Sequence, residues 1–546
     1  MTRSASSLSR RAALGLDFGT ESVRALLVSL EGEELGEGAS AYRHGQIVDR
    51  LPGSEERLPR DFALQHPTDW IESATLAVRQ ALTNAGLSGD AVVGIGVDFT
   101  SCTMLPARAD GTPLCLDARF AAEKYAWPKL WKHHGAKEQT DRINQIARER
   151  SERFLDRYGG VIGLEWFFPK ILETLEHAEQ VYEAADVWIE AGDWFVWQLT
   201  GSSPDNIPRS TCQAGYKGMW SADDGYPSRE FLAAVDPRLE NIVAEKLPGR
   251  LSPPGRCVGG LAAHFAQQMG LREGTPVSAA IIDAHAAVPG VGAAEAGTLV
   301  MVMGTSNCYM LNAAVERSVP GIAGIVKDGI LPGFYGYEAG QAAVGDAFDW
   351  VRRLTGQSDF DALTAEAQAI PPGSDGVLCI DWFNGCRTPY MDGRLTGQFS
   401  GLTLSHGPAH LYRATMEASA YGFRWIVELL REHDVPVTRF ITSGGLPHHN
   451  PLVVQIYADV LGEAIDIHPS KQGPAFGAAI LGALASGEQA GFASAEDAVR
   501  TMTGRETGIR TVHPNPEATA RYQPLYQNYR QEAERLHLSQ NSDLNS

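Results

Sequence analysis

The sequence predicts an α/β protein with two large, related halves, and three observations support this prediction. At 546 residues the chain is longer than a single hydrophobic core supports. Apolar, strand-like segments alternate with helix-like ones, as at residues 92–98 after the helical pattern of residues 70–85. A strand, a Gly-Thr turn and a returning strand occur near the start of the chain and again from Thr298. The repeated motif indicates two halves of similar construction that face each other.

The first copy of the motif carries the candidate metal residue. Residues 13–17 form an apolar strand that ends in Asp17, Gly19 and Thr20 form the turn, and residues 23–28 form the returning strand. A Gly-Thr turn presents unobstructed backbone N–H groups and a hydroxyl, which suit phosphate oxygens. A carboxylate at the strand end suits a hydrated Mg²⁺, which makes Asp17 the candidate metal residue.

The second copy of the motif repeats the first. Its strand ends at Met303, its turn contains Gly304, Thr305 and Ser306, and its returning strand covers residues 308–311. Together the two turns predict a nucleotide clamped between the halves through its phosphates.

A further Gly-rich turn is the candidate adenosine site. Gly444 and Gly445 follow a predicted strand, and Asn450 precedes a predicted helix. A base and ribose would lie against such a turn and the helix N-terminus. On spacing alone, an ordinary strand-to-helix connection is the better explanation of these residues.

Asp283 is the leading candidate for a catalytic group. It ends a predicted apolar strand, residues 277–283, and small residues follow it. Open α/β sheets bind ligands at strand ends, where a carboxylate can accept the proton of a hydroxyl that attacks a γ-phosphate. The alternative is a helix N-cap, a common role for Asp before a helix. Asp98 also ends a strand, and a turn or cap role is the better explanation there.

Lys217, Glu338 and Trp131 are candidate contacts to a polyhydroxylated ligand. The two charges stand alone in segments rich in glycine and aromatic residues, 215–218 and 333–345, which we predict to be loops. Lysine donates and glutamate accepts hydrogen bonds, but the usual role of both is a solvated surface charge. Trp131 would lay its ring along a sugar, although a core position explains it equally well.

The composition excludes several other classes of protein. The formal net charge of −20 argues against a nucleic-acid partner and against a polybasic membrane contact. No run approaches the ~18 consecutive apolar residues of a membrane span. Seven scattered cysteines without a Cys-x-x-Cys pair predict a reducing, cytoplasmic compartment and argue against structural zinc. We expect residues 1–11 to be frayed and the tail from His537 to be disordered.

The collected motifs resemble the FGGY family of carbohydrate kinases. The C-terminal signature of that family is matched by Gly397-Gln-Phe-Ser-Gly-Leu402, then seven residues, then His410-Leu-Tyr-Arg-Ala-Thr-Met-Glu417. Its phosphate and adenosine segments are matched by Asp17-Phe-Gly-Thr20, Met303-Gly-Thr305 and the stretch that begins at Ser443-Gly-Gly445. The resemblance covers roughly residues 12–487, most of the chain.

The resemblance implies a two-domain actin/hexokinase-like ATPase fold, with ribonuclease H-like halves and an interdomain cleft. A sugar-binding domain would cover residues 12–290, a nucleotide-binding domain residues 294–490, and a helical extension and tail residues 491–546. ATP and Mg²⁺ would bind between the domains. Similar kinases are frequently homodimers, although no stretch of this sequence predicts an interface.

The resemblance also assigns roles to individual residues. It implies that Asp283 is the general base, and that Lys217, Asp283 and Glu338 hold the sugar together with the residue at Ser101. Within the family the chain is most similar to kinases of the ketopentose L-ribulose, which act in L-arabinose breakdown. Among the stretches specific to that group is Asp381-Trp-Phe-Asn-Gly385.

The chain departs from the pattern of that group at several positions. Ser101 stands where Ala is usual, Gly163-Leu164 where Ser-Ser is usual, and Asn307 and Tyr309 where a small residue and His are usual. The first two departures keep D-ribulose, xylulose, ribitol and related polyols open as substrates. None of the departures removes a predicted catalytic group.

Two functions of another class remain as alternatives: a non-catalytic regulator that binds a sugar or nucleotide, and a chaperone-type ATPase. The retained Asp17, Asp283 and both Gly-Thr turns argue against an inactive site. The charges of Lys217 and Glu338 argue against an ATPase that clamps a protein.

Overall fold

The computed structural model describes residues 11–470, 472–504 and 508–544. Two mixed β-sheets, one from each half of the chain, form its framework, and helices pack against both. The expectation for residues 1–11 lies outside the described residues except at Arg11.

The first half of the chain contains strands β1–β11 and helices α1–α10. The strands are β1 (Ala12–Phe18), β2 (Ser22–Ser29), β3 (Glu34–Ala41), β4 (Val92–Phe99), β5 (Met104–Ala107), β6 (Val187–Glu190), β7 (Pro208–Ser210), β8 (Arg250–Ser252), β9 (Cys257–Gly260), β10 (Pro276–Ser278) and β11 (Ile281–Ile282). The helices are α1 (Pro67–Ala85), α2 (Lys137–Glu149), α3 (Phe167–His177), α4 (Glu179–Ala184), α5 (Ala191–Thr200), α6 (Thr211–Lys217), α7 (Arg229–Val235), α8 (Ile242–Lys246), α9 (Ala263–Met269) and α10 (Asp283–Gly290).

The second half contains strands β12–β20 and helices α11–α18. The strands are β12 (Thr298–Met303), β13 (Asn307–Ala313), β14 (Gly324–Lys327), β15 (Tyr335–Gln341), β16 (Leu378–Ile380), β17 (Gln398–Ser400), β18 (Arg439–Ser443), β19 (Ile465–Ile467) and β20 (Arg510–Val512). The helices are α11 (Gly345–Leu354), α12 (Phe360–Ala369), α13 (Pro408–Glu432), α14 (Leu446–His449), α15 (Pro451–Leu461), α16 (Gly473–Ala485), α17 (Ala495–Thr503) and α18 (Pro516–Leu544).

The two sheets share the same central arrangement. The first has the order β3-β2-β1-β4-β10-β9, with β11 also beside β4, and β1 runs antiparallel to β2 and parallel to β4. The second has the order β14-β15-β13-β12-β18-β19-β20, and β12 runs antiparallel to β13 and parallel to β18. The β1–β2 hairpin therefore corresponds to the β12–β13 hairpin, and each carries a Gly-Thr turn. The predicted α/β fold with two related halves is confirmed.

Helices α10 and α16 cross where the two halves meet. A Cβ atom at Gly477 of α16 would lie 1.8 Å from the carbonyl oxygen of Ala286 in α10, and one at Gly15 of β1 would lie 1.9 Å from that of Ala475. Both approaches are far shorter than a van der Waals contact, so both positions require glycine. Small residues thus bring α16, which comes from the second half, against the first sheet and against the helix that begins at Asp283.

The apolar, Trp-rich pattern of residues 184–199 predicts a single helix, but the structure divides this segment into a strand and a helix. Val187–Glu190 forms β6, which pairs with β5 so that Ile189 lies opposite Leu105. The strand is four residues long and fully buried, and it leads directly into the buried helix α5. Apolar content is continuous across the junction, so the sequence pattern does not separate strand from helix.

The prediction of a loop over residues 333–345 is also wrong, because Tyr335–Gln341 forms β15 inside the second sheet. A Cβ atom at Gly340 would lie 2.8 Å from the carbonyl oxygen of Asn307. Glycine at this position serves the close packing of β15 against β13 rather than a turn. In the same way, Lys217 ends helix α6 instead of lying in a loop.

The expected disorder of the tail from His537 is wrong for residues 537–544, because α18 continues through Leu544. None of the helices in the described residues combines the length and the apolar character that a membrane span requires.

Candidate active site

Three carboxylates meet at the carboxyl ends of neighbouring parallel strands. Asp17 of β1 and Asp98 of β4 are paired in register, and Asp283 directly follows β11, whose Ile281 pairs with Asp98. Asp17 and Asp98 are buried, whereas Asp283 is partly exposed. The turn or cap role expected for Asp98 is wrong, because its side chain is 0% exposed inside this group.

The three acids shift one another's titration. Burial raises the pKa of Asp283 to about 7, and the charge of Asp17 adds to the shift. Burial also raises the pKa of Asp98 well above its ordinary value, and the charges of Asp17 and Asp283 act in the same direction. Burial raises the pKa of Asp17 too, although Arg24, at 3.5 Å, opposes the rise. Near neutral pH the group therefore combines a base, Asp283, with acids that would gain from a nearby cation.

Asp283 lies at the first position of α10. The residue that precedes the helix is Ile282, and the Asp283 carboxylate accepts a hydrogen bond only from the adjacent N–H of Ala284, at 2.7 Å, among the bonds found in the described residues. An N-cap aspartate instead bonds to the N–H two or three residues ahead. The capping alternative therefore does not account for this side chain.

Lys217 and Glu338 form a largely buried ion pair between the two halves. Lys217 Nζ, at the end of α6, lies 3.2 Å from each carboxylate oxygen of Glu338 in β15. His285 Nε2 of α10 lies 3.4 Å from Glu338, and the Lys217 ammonium lies over the Trp166 ring. Burial favours the neutral form of Glu338, but Lys217 and His285 hold its pKa well below the ordinary value. These side chains are not the solvated surface charges that the sequence also allowed.

The ion pair and the three acids belong to one site. The charges of Glu338 and Lys217 both act on the pKa of Asp283, in opposite directions. The site thus places a base beside a fixed anion and a fixed cation, which between them can accept and donate hydrogen bonds to hydroxyl groups.

The first Gly-Thr turn is tied to the candidate sugar contact Trp131. The indole Nε1 of Trp131 donates to Thr20 Oγ1 at 3.1 Å, and Gln65 donates to the Thr20 carbonyl at 2.9 Å. The Tyr42 hydroxyl donates to the carbonyl of Gly19 at 3.1 Å. Trp131 is partly exposed, so it is not the core residue that the sequence equally allowed.

The second turn resembles the first but is closed by a shorter hydrogen-bonded loop. In each turn the N–H of the glycine donates to a carbonyl further along the turn: Gly304 to Ser306, two residues on, at 3.1 Å, and Gly19 to Ser22, three residues on, at 3.0 Å. Gly304 and Thr305 are exposed, and their carbonyls accept hydrogen bonds from residues at the start of α11. The turn is therefore open to a ligand while its carbonyl side is held by the protein.

The third turn is positioned by close packing and by capping. Gly444 has a φ of +97°, and a Cβ atom there would lie 2.5 Å from the carbonyl oxygen of Met303. Gly445 precedes α14, and the Asn450 side chain caps α15 through the N–H of Val453 at 3.3 Å. The Asn450 amide also donates to the Tyr412 hydroxyl at 3.0 Å. Both ends of the Asn450 amide thus have structural partners, and an adenosine contact stays a prediction.

Ser101 is positioned by a lysine that the sequence reasoning missed. Lys170 is 0% exposed, and its Nζ donates to the carbonyls of Cys102 at 2.8 Å and Leu130 at 2.9 Å. These carbonyls adjoin the candidate sugar residues Ser101 and Trp131, so one buried cation holds both segments. A lysine between the apolar residues at the start of α3 was the available signal, because lysine is rarely buried without a partner.

His285 is the second missed residue. It lies two positions after Asp283 and is buried between Glu338 and Tyr216. The centroids of the His285 and Tyr216 rings are 4.1 Å apart. Only the folding of α10 against β15 brings it to Glu338, so the linear sequence offered no distinct signal.

Comparisons with known proteins agree with this geometry. The model of the N-terminal domain of the FGGY family of carbohydrate kinases matches residues 12–290, and that of the C-terminal domain matches residues 299–486. A ribulokinase of Geobacillus thermodenitrificans is 45% identical over 96% of this chain and 94% of its own length. A ribulokinase of Anoxybacillus flavithermus is 44% identical with the same coverage. The crystal structure of xylulose kinase from Rhodospirillum rubrum is 25% identical, with a TM-score of 0.78 over 97% of this chain and 100% of that one.

Proposed function

The chain belongs to the FGGY family of carbohydrate kinases, and from this premise we propose that it phosphorylates L-ribulose to L-ribulose 5-phosphate with ATP. The observation that carries the choice of sugar is the similarity to ribulokinases along nearly the whole chain. A place in L-arabinose breakdown follows from this substrate.

Asp283 acts as the general base in this proposal. Its pKa of about 7 leaves a large ionised fraction at neutral pH, so it can take the proton of the terminal hydroxyl as that oxygen attacks the γ-phosphorus. The bond from the γ-phosphorus to the β–γ bridging oxygen breaks, and ADP leaves. Lys217, Glu338, Ser101 and Trp131 hold the rest of the sugar and orient that hydroxyl.

The nucleotide phosphates lie on the two Gly-Thr turns, with Gly19 and Thr20 on one side and Gly304, Thr305 and Ser306 on the other. The exposed turn residues Gly304 and Thr305 and the hydroxyl of Thr20 suit phosphate oxygens. Adenosine would bind at Gly444, Gly445 and Asn450.

The donor set at the strand ends fits Mg²⁺. Asp17 would hold the ion through water, and Asp98 lies beside it in register. Carboxylates are the ligands that Mg²⁺ accepts, and because burial raises the pKa of both acids, a nearby cation would favour their charged forms. When bound, the ion would neutralise charge on the transferred phosphoryl group.

We further propose the domain boundaries 12–290, 294–490 and 491–546, and a cytoplasmic location. All seven cysteines are free, which suits a reducing compartment. A homodimer is in keeping with similar kinases.

A coupled assay of ADP release tests the proposal. Purified protein with ATP and Mg²⁺ is offered L-ribulose, D-ribulose, L- and D-xylulose, ribitol, L-arabinitol and glycerol, beside a blank without sugar. We expect a clear preference for L-ribulose and little turnover in the blank. Preference for another compound would assign the protein to a kinase of that compound in the same family. The extra hydroxyl of Ser101 would then be the first candidate to explain the changed substrate preference. Sugar binding without ADP release would favour a regulator, and ADP release without sugar a chaperone-type ATPase.

A further inference from the structure

A buried polar network runs from the second Gly-Thr turn to the C-terminal helix. Asn307, the residue after the turn, donates through Nδ2 to the hydroxyls of Tyr309 at 3.0 Å and Tyr457 at 3.2 Å. The Tyr309 hydroxyl donates to Gln341 Oε1, and Gln341 Nε2 donates to Asp381 at 3.0 Å. The network ends at α18, where the Tyr529 hydroxyl donates to the other oxygen of Asp381 at 2.9 Å.

Every member of the network is removed from water. Asn307 and Tyr457 are 0% exposed, Tyr309 and Tyr529 are 1% exposed, and Gln341 and Asp381 are 6% exposed. A buried polar group that loses its hydrogen-bond partner destabilises the fold. Each side chain of the network therefore restricts the position of the next one. The described residues offer no partner to Asn307 Oδ1, which leaves Nδ2 to anchor this side chain.

The network starts at the pair of residues that closes the turn. Asn307 is paired with Met303 across the β12–β13 hairpin and with Gln341 across β13–β15. The residues between Met303 and Asn307 are the exposed Gly304, Thr305 and the half-buried Ser306. A shift of β13 along β15 would therefore move the turn and break the bonds of Asn307 and Gln341 together.

We infer that Asn307 and Tyr309 are positioning residues that hold the Gly304–Thr305–Ser306 turn in the conformation that binds nucleotide phosphates. Through Gln341 and Asp381, the C-terminal helix α18 contributes to the same alignment. The inference rests on the proposed function, because it takes the turn as the phosphate site.

Tyr309→Phe is the first test, because it removes one hydroxyl and keeps the ring. The probe is AMP-PNP with Mg²⁺, with AMP as the reference that lacks the β- and γ-phosphates, and binding is measured by calorimetry without sugar. We expect the Kd of AMP-PNP to rise about fivefold, which corresponds to the loss of one net hydrogen bond. The Kd of AMP should stay unchanged. A uniformly loosened fold would weaken both ligands.

Tyr526→Phe is the matched control. Tyr526 is also fully buried on α18, and its hydroxyl also donates to a carboxylate, Glu428, but that bond lies outside the network. We expect both Kd values to match those of the parent protein. Tyr529→Phe, at the far end of the network, should weaken AMP-PNP in the same direction as Tyr309→Phe and raise the KM for ATP but not for L-ribulose.

The outcomes separate the inference from the proposed function. An unchanged Kd of AMP-PNP in Tyr309→Phe, or an equal loss for AMP and AMP-PNP, overturns the positioning role while the kinase proposal stands. A parent protein that binds no AMP-PNP overturns the proposed function and this inference with it.

Discussion

Lys217 Nζ lies 3.2 Å from both carboxylate oxygens of Glu338, although the two residues are 121 positions apart and belong to different halves of the chain. The pair joins the two halves near Asp283, whose pKa both charges influence. A ligand that binds here would contact both halves, and closure of the halves over it would exclude water from a reactive phosphate.

The ion pair predicts unequal effects of single and double substitutions. Lys217→Met leaves the largely buried Glu338 carboxylate with His285, at 3.4 Å, in place of the lysine. We therefore expect the free energy of unfolding to fall by about 3 kcal/mol in a urea titration. Lys217→Met with Glu338→Gln should recover much of that loss and still bind sugar poorly. Full sugar affinity in the double variant would contradict a role for these residues in binding.

Asp283→Asn tests the general base. We expect kcat to fall at least about 100-fold, because the amide cannot accept the proton of the attacking hydroxyl. The Kd of AMP-PNP with Mg²⁺ should change little, which calorimetry would show. Near-full turnover by this variant would remove Asp283 from the mechanism.

The raised pKa of Asp283 predicts the pH dependence of the reaction. The base works in its ionised form, and its pKa in the free protein is about 7. We therefore expect kcat/KM to be constant at higher pH and to fall about tenfold per pH unit below that value. A rate profile over pH 5–9 at saturating Mg²⁺ measures this. A rate that stays constant down to pH 5 would contradict a raised pKa of Asp283 in the working enzyme.

The crossing of α10 and α16 predicts that Gly477 controls the position of Asp283. In Gly477→Ala the new methyl group meets the backbone of Ala286, three residues after Asp283, so one helix must shift. We expect a loss of about 2 kcal/mol in the free energy of unfolding and a lower kcat. Gly393→Ala is the control, because its Cβ would meet no atom of the described residues within 4 Å. Equal behaviour of the two variants would contradict the role of the crossing.

The sequence alone determined the local chemistry of this protein. The β1–β2 and β12–β13 hairpins, their Gly-Thr turns and the strand-end acids Asp17 and Asp283 were all predicted from residues close together in the chain. Such features depend on short-range rules: glycine permits tight turns, and alternation or runs of apolar residues mark strands. The length of the chain and the paired motifs were sufficient to predict two related halves.

The tertiary structure alone decided which of these residues act together. The sequence did not distinguish Asp98 from a turn or cap residue, whereas the pairing of β1 with β4 places it beside Asp17. The sequence predicted a loop at Glu338, whereas β15 places this residue against Lys217. Lys170 and His285 gained their partners in the same way. These contacts join residues far apart in the chain or on different elements, so they follow from strand register and helix packing. Local sequence patterns indicate which face of a strand is buried, but not which distant strand or helix lies beside it.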